Sequence, residues 1–102
     1  MATAVKATAH DGFQGASVEI GTIDIDPGSL GAGLESEASV TLTGAKVGDL
    51  VFVNPVSLDT DLFPKGARIS ATDTLAVLIG NEGSGTVDGA SREWHYILVH
   101  LS

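Results

Sequence analysis

The sequence contains no cysteine. That excludes disulfide staples, thiolate nucleophiles and cysteine-ligated zinc or iron–sulfur centres. Cationic side chains are scarce: 5 Lys and Arg stand against 13 Asp and Glu, for a formal net charge of −8. Such a surface repels phosphates, so free nucleic acid is not an expected partner. The carboxylates are spread from Asp11 to Glu93 without forming a block, which reads as a solvated surface. Long apolar runs are missing as well. No window approaches the ~18 residues of a membrane span, so no membrane partner is expected. The first ten residues carry one Lys and no stretch of signal-peptide length, which points to synthesis and use without Sec export. Aromatics are limited to Phe13, Phe52, Phe63, Trp94 and Tyr96, so the core must be mainly aliphatic. Windows rich in Lys, Glu and Gln of the helix-forming kind are absent, and Gly is abundant. This balance favours short strands joined by Gly-rich turns.

The 102 residues make one domain. Residues 1–16 read as an extended N-terminal arm. Its Ala/Thr alternation could join a sheet edge, but His10-Asp-Gly and Gln14-Gly interrupt it. Residues 17–102 form the body. Residues 17–26 alternate, with an odd step at Gly21-Thr22 that flips the facing and predicts a β-bulge there. Asp26-Pro-Gly-Ser is a turn. Residues 35–43 place Ala38, Val40 and Leu42 on one face and Glu37, Ser39, Thr41 and Thr43 on the other, as in an antiparallel sheet with one wet side. After a turn at residues 44–49 comes the continuous apolar run Leu50-Val-Phe-Val, closed by Asn54-Pro55. Residues 56–65 read as the longest irregular loop, with Leu62 and Phe63 either tucked onto the sandwich end or projecting into a partner. A hairpin follows, reversing at Ala71-Thr-Asp, then a Gly/Ser/Asp loop at residues 81–91. The last strand spans residues 92–100, with Trp94, Tyr96, Leu98 and His100 on one side and His95, Ile97 and Val99 on the other. About six or seven strands at intervals of roughly 10 residues predict an all-β fold, a small antiparallel β-sandwich of immunoglobulin-like or jelly-roll-like kind. The runs at residues 50–53 and 75–79 are apolar on both faces, which predicts burial against another subunit.

Catalytic and ligand motifs are few. Gly31-Ala-Gly33 lacks the third glycine and the helix of a dinucleotide fingerprint. Asp59 and Asp61 lack the spacing, Gly and terminal Glu of a calcium loop. His95 and His100 lie five apart on one strand and face opposite sides, and His10 is in the arm, so the three histidines do not predict a metal site. Asp24 and Asp26 share an exposed strand face and read as surface carboxylates rather than an acid/base pair. Trp94 and Tyr96 could stack on a sugar, but the pair reads first as core or subunit interface. The expectation is a non-enzyme with no cofactor.

One combination is more specific: Thr43-Gly-x-x-x-Gly-Asp-x-Val-x-Val-Asn-Pro55 with Ala67-Arg-Ile-Ser-Ala-x-Asp-Thr-Leu75, flanked by Asp26-Pro-Gly-Ser-Leu and Asn81. Over residues 23–99 the chain resembles small β-sandwich proteins encoded among the virion structural genes of tailed bacteriophages. The resemblance implies a capsid decoration (cement) or head-fibre subunit, commonly trimeric, that binds the major capsid protein on the outside of the assembled head. It implies a virion protein made in the host cytoplasm. In that setting the arm, including Val5, Lys6, His10 and Phe13, is the expected capsid contact. Leu50, Phe52, Leu78, Trp94 and Tyr96 are the expected subunit interface, with Leu62 and Phe63 as loop contacts. The arm and the acidic loop at residues 59–61 depart from the pattern. Two rivals remain: a tail or fibre-tip module that binds cell-surface carbohydrate through Trp94 and Tyr96, and a sandwich module of a secreted bacterial protein.

Overall fold

The computed structural model describes residues 5–8 and 17–101. His10 and Phe13 lie outside them. The described residues contain nine strands: β1 (Val5–Thr8), β2 (Ser17–Ile25), β3 (Gly28–Leu30), β4 (Glu35–Thr41), β5 (Leu50–Pro55), β6 (Leu62–Ala71), β7 (Thr74–Asn81), β8 (Val87–Gly89) and β9 (Arg92–His100). All pairings are antiparallel. One sheet has the order β1-β2-β9-β5, a second β4-β7-β6, and β3 and β8 form a short ribbon. The protein is an all-β antiparallel sandwich. Part of the expected arm is an edge strand, because β1 pairs with the first half of β2, Val5 opposite Ile20.

The two sheets are held by one apolar core. Ile23, Ile25, Trp94, Tyr96 and Leu98 come from the four-stranded sheet, and Leu62, Ile69, Leu75, Val77 and Ile79 from the three-stranded sheet. Leu42 and Ala45 close one end and Leu30 the ribbon side. Alternation decides which residues enter, since successive strand side chains point to opposite faces. Burying each large apolar side chain contributes about 1.5–3 kcal/mol.

The structure corrects two readings. No bulge occurs in β2: its pairing with β9 runs without a break from Ser17–His100 to Ile25–Arg92. The flip in facing therefore stands. Ile23 and Ile25 point inward, Ile20 points outward and is exposed, and Gly21 sits opposite the bulky Tyr96. The irregularities fall in β6 instead, between Pro64 and Gly66 and between Ile69 and Ala71. Pro64 has no N–H to donate, so an edge strand with a local break accommodates it. The supposed loop at residues 56–65 is also shorter than expected, because β6 already begins at Leu62.

The shared motif residues interlock at one end of the sandwich. Gly44 and Gly48 adopt φ of 93° and 100°, which any Cβ would strain. The Gly44 N–H donates to Asp73 Oδ1 at 2.8 Å, and the Asp73 N–H donates to the Ala45 carbonyl at 2.8 Å. Asp73, at φ 60°, completes the two-residue reversal between β6 and β7. The Thr-Gly-x-x-x-Gly-Asp turn and the Ala-x-Asp-Thr-Leu hairpin are thus two halves of one joint.

Candidate functional site

The sandwich has two outward faces, and their chemistry differs. On the three-stranded sheet, the outward positions of the central strand β7 are Ala76, Leu78 and Gly80. Side chains of the flanking strands roof them. Arg68 of β6 reaches over to Glu37 of β4 in a bidentate pair, Nε–Oε2 3.1 Å and Nη2–Oε1 3.0 Å. Lys65 pairs with Glu35 at 3.5 Å and with Glu82, and its stem occupies the space beside Gly80. Long cationic side chains cover apolar surface with their stems while keeping the charge in water. The second apolar face of β7 is therefore covered from within the chain, and Leu78 is half-buried there.

Among the described residues, the outward face of the four-stranded sheet has no such roof. Pairing aligns its residues in rows across β2, β9 and β5: Val18–Val99–Leu50, then Ile20–Ile97–Phe52, then Thr22–His95–Asn54. Residues directly opposite on adjacent antiparallel strands share a face and touch. Phe52 is 60% exposed, Ile20 49%, Leu50 48% and Ile97 40%. None of the outward residues of β2, β9 and β5 is Lys or Arg, so among the described side chains of these strands no cationic stem lies across them. A shallow groove of about 210 Å³ runs between Ile20, Phe52, Asn54, His95 and Ile97. Phe52 and Val53 of the run at residues 50–53 line it, and the outward residues of that run, Leu50 and Phe52, are exposed.

Titratable groups gather at one other place. His100, at the end of β9, places Nδ1 3.0 Å from Asp49 Oδ2 and Nε2 3.2 Å from Glu19 Oε1. Both carboxylates are almost fully buried. Asp49 also accepts the Lys46 and Leu101 N–H groups. Which ring nitrogen donates depends on the tautomer. The cluster ties the end of β9 to the start of β2 and to the turn before β5. It presents no nucleophile, and among the described residues no group of His, Asp and Glu is arranged to hold a metal. Nearby, burial and then the Glu19 charge push the Tyr96 hydroxyl above its ordinary pKa.

The acidic loop is likewise structural. Asp59 accepts Arg92 Nε at 3.0 Å, Arg92 Nη2 at 3.3 Å and the Ala90 N–H at 3.2 Å. Arg92 above all, and then the Ala90 N–H, hold its carboxyl below the usual range. Asp61 turns away at φ 75° and packs beside Gly83.

Of the residues singled out from sequence, Leu50 and Phe52 lie on the open face and Phe63 is exposed at the start of β6. Trp94 and Tyr96 are not interface residues: both are buried between the sheets, where neither can meet a sugar or a neighbour. Leu62 is also core rather than a loop contact. For Val5 and Lys6 only the backbone of β1 is described. Ile20, Ile97, Val18 and Val99 were missed as surface candidates. The signal was present in the alternation of β9: once Trp94 faces inward, Ile97 and Val99 must face outward.

Comparison of the chain with protein-family models, with curated proteins and with solved structures finds no match.

Proposed function

We propose that the protein is a non-enzymatic structural protein of a tailed-bacteriophage virion. In this reading it is a decoration (cement) subunit that binds the major capsid protein on the outside of the assembled head and stabilises the shell. The motif resemblance over residues 23–99 supports the class of protein. The single structural observation that favours it is the pairing of a rigid scaffold with an open apolar sheet face. The shared motif residues build turns and strands, and two outward rows of β2, β9 and β5 are apolar, a surface through which copies can join one another on a shell. A contact that is modest per copy suffices on a lattice, because many copies engage together. The resemblance adds trimeric assembly, a virion location, synthesis in the host cytoplasm and no cofactor. The fibre-tip reading loses its sugar platform, since Trp94 and Tyr96 are buried.

The test uses heads of the phage that carries the gene, prepared with the gene deleted. Purified protein should co-sediment with these heads to a saturable stoichiometry and raise their resistance to heat or chelator. Failure to bind, with an independently verified folded protein, would remove the decoration reading.

A further inference from the structure

We propose that the outward face of the β1-β2-β9-β5 sheet is where a second copy of this chain docks. The inference goes beyond the proposed function: identical faces docked on each other make a two-fold pair, where the resemblance implies a trimer, and its physical grounds are independent of the virion reading.

The first ground is area. Ile20, Leu50, Phe52 and Ile97 are each 40–60% exposed and contiguous in the sheet register. With Val18 and Val99 they make a patch on the order of 400 Å², the scale at which exposed apolar surface on a monomer marks an interaction site. Two such patches with their polar rims bury roughly 1,000 Å², the lower bound of a specific protein–protein interface. Weak, concentration-dependent association follows.

The second ground is charge. The molecule carries a net charge of −8, so copies repel one another over most of their surface. The two apolar rows hold no ionisable side chain, and Thr22, His95 and Asn54 form the next row. Carboxylates return only beyond it, at Asp24 and Glu93. A basic partner has nothing to pair with in this region. An identical neutral face is matched to it, and this is the part of the surface that two acidic copies can bring together without opposing charges.

The third ground is shape and contrast. The face is a sheet surface with its backbone groups already paired, so its natural complement is another flat sheet face packed about 10 Å away. On the opposite sheet the outward residues of the central strand are the smaller Ala76, Leu78 and Gly80, and Arg68–Glu37 and Lys65–Glu35 lie over them. The described residues thus roof one sheet with long cationic side chains and place none across the other.

Sedimentation velocity across a wide concentration range tests the proposal, with Phe52→Glu as the patch variant and Phe63→Glu as a control at similar exposure. Circular dichroism and thermal melting check that each variant folds. Wild type should associate, Phe52→Glu should weaken association about tenfold or more, as loss of a central aromatic anchor does, and Phe63→Glu should leave it unchanged. A wild type that stays monomeric at millimolar concentration overturns the proposal, as does equal loss in both variants. Should Phe52→Glu fail to fold, Ile20→Thr, a strand-compatible change on the same row, takes its place with the same expectations. Self-association that depends on Phe52 in a protein that ignores phage heads leaves this inference standing and removes the decoration reading. Head binding by a strict monomer does the reverse.

Discussion

Asn81 shows how much one buried polar side chain organises. Its Nδ2 donates to the carbonyls of Leu30 and Gly85, each at 2.8 Å, and its Oδ1 accepts the Gly83 N–H at 2.9 Å. Three backbone groups from the ribbon side and from the loop after β7 thus meet on one amide. A buried polar group costs free energy unless bonded, and here both N–H donors and the carbonyl oxygen have partners. Asn81→Ala strands those partners and should destabilise the fold by about 3 kcal/mol. A shift of the urea midpoint with unchanged slope would report it; a change below about 0.5 kcal/mol, the range of ordinary surface substitutions, would refute the role. Trp94 is the counter-case, since its buried Nε1 has no hydrogen-bond partner among the described residues. Its apolar bulk outweighs that cost in the core. Nothing in the local sequence marked Asn81 as buried, because its partners come from residue 30 and from the following loop.

Elements meet closely where glycine allows it, and two glycines separate a hard contact from a soft one. A Cβ at Gly89 of β8 would collide with the Pro27 ring and press on Leu62, both held in place. A Cβ at Gly80 of β7 would meet only the end of the Lys65 side chain, which can swing aside. Gly89→Ala should therefore cost about 1–3 kcal/mol, as overpacking does, while Gly80→Ala should stay within about 1 kcal/mol, the scale of an exposed ion pair. Thermal melting of the two variants should rank Gly89→Ala well below Gly80→Ala; the reverse order would refute the account of which contact can yield. The same contrast explains the sheet face. Lys65 and Arg68 stand on an edge strand next to small residues of β7, so their stems lie flat. β9 has neighbours with no long cationic outward side chain.

At the scale of the whole molecule, acidity sets the response to pH. The hydrogen bond from Arg68 holds the Glu37 carboxyl below its ordinary value, as Arg92 does for Asp59. A carboxyl whose folded pKa lies below its unfolded one adds stability that is fully present above the unfolded value. That contribution disappears as pH falls through the folded value. The two ties are therefore intact at neutral pH and are lost below about pH 4. Glu37→Gln combined with Asp59→Asn should lower the urea midpoint at pH 7 and flatten its decline between pH 5 and pH 3, a range set by ordinary carboxyl values. An equally steep acid limb in the double variant would show that other carboxylates carry it. The Phe52 variant described above belongs to this scale too, because it asks what a face does only when a second molecule is present.

The sequence by itself determined the all-β class, the approximate place of most body strands and the exclusion of thiol chemistry, because these follow from composition and two-residue alternation. It also located the turns around Gly44, Gly48 and Asp73, whose backbone demands are written in residue type. It did not determine which side of an alternating strand faces inward when both sides are apolar. Trp94-x-Tyr96-x-Leu98 and His95-x-Ile97-x-Val99 are both plausible core faces until β7 is known to lie against the first. Nor could it show that Lys65 and Arg68 roof one sheet, since that depends on neighbours about 30 residues away along the chain, such as Glu35 and Glu37. Only the tertiary structure brought Ile20, Phe52 and Ile97 into one row, because strands distant in sequence become neighbours through pairing alone, and that row is the surface on which the functional proposal rests.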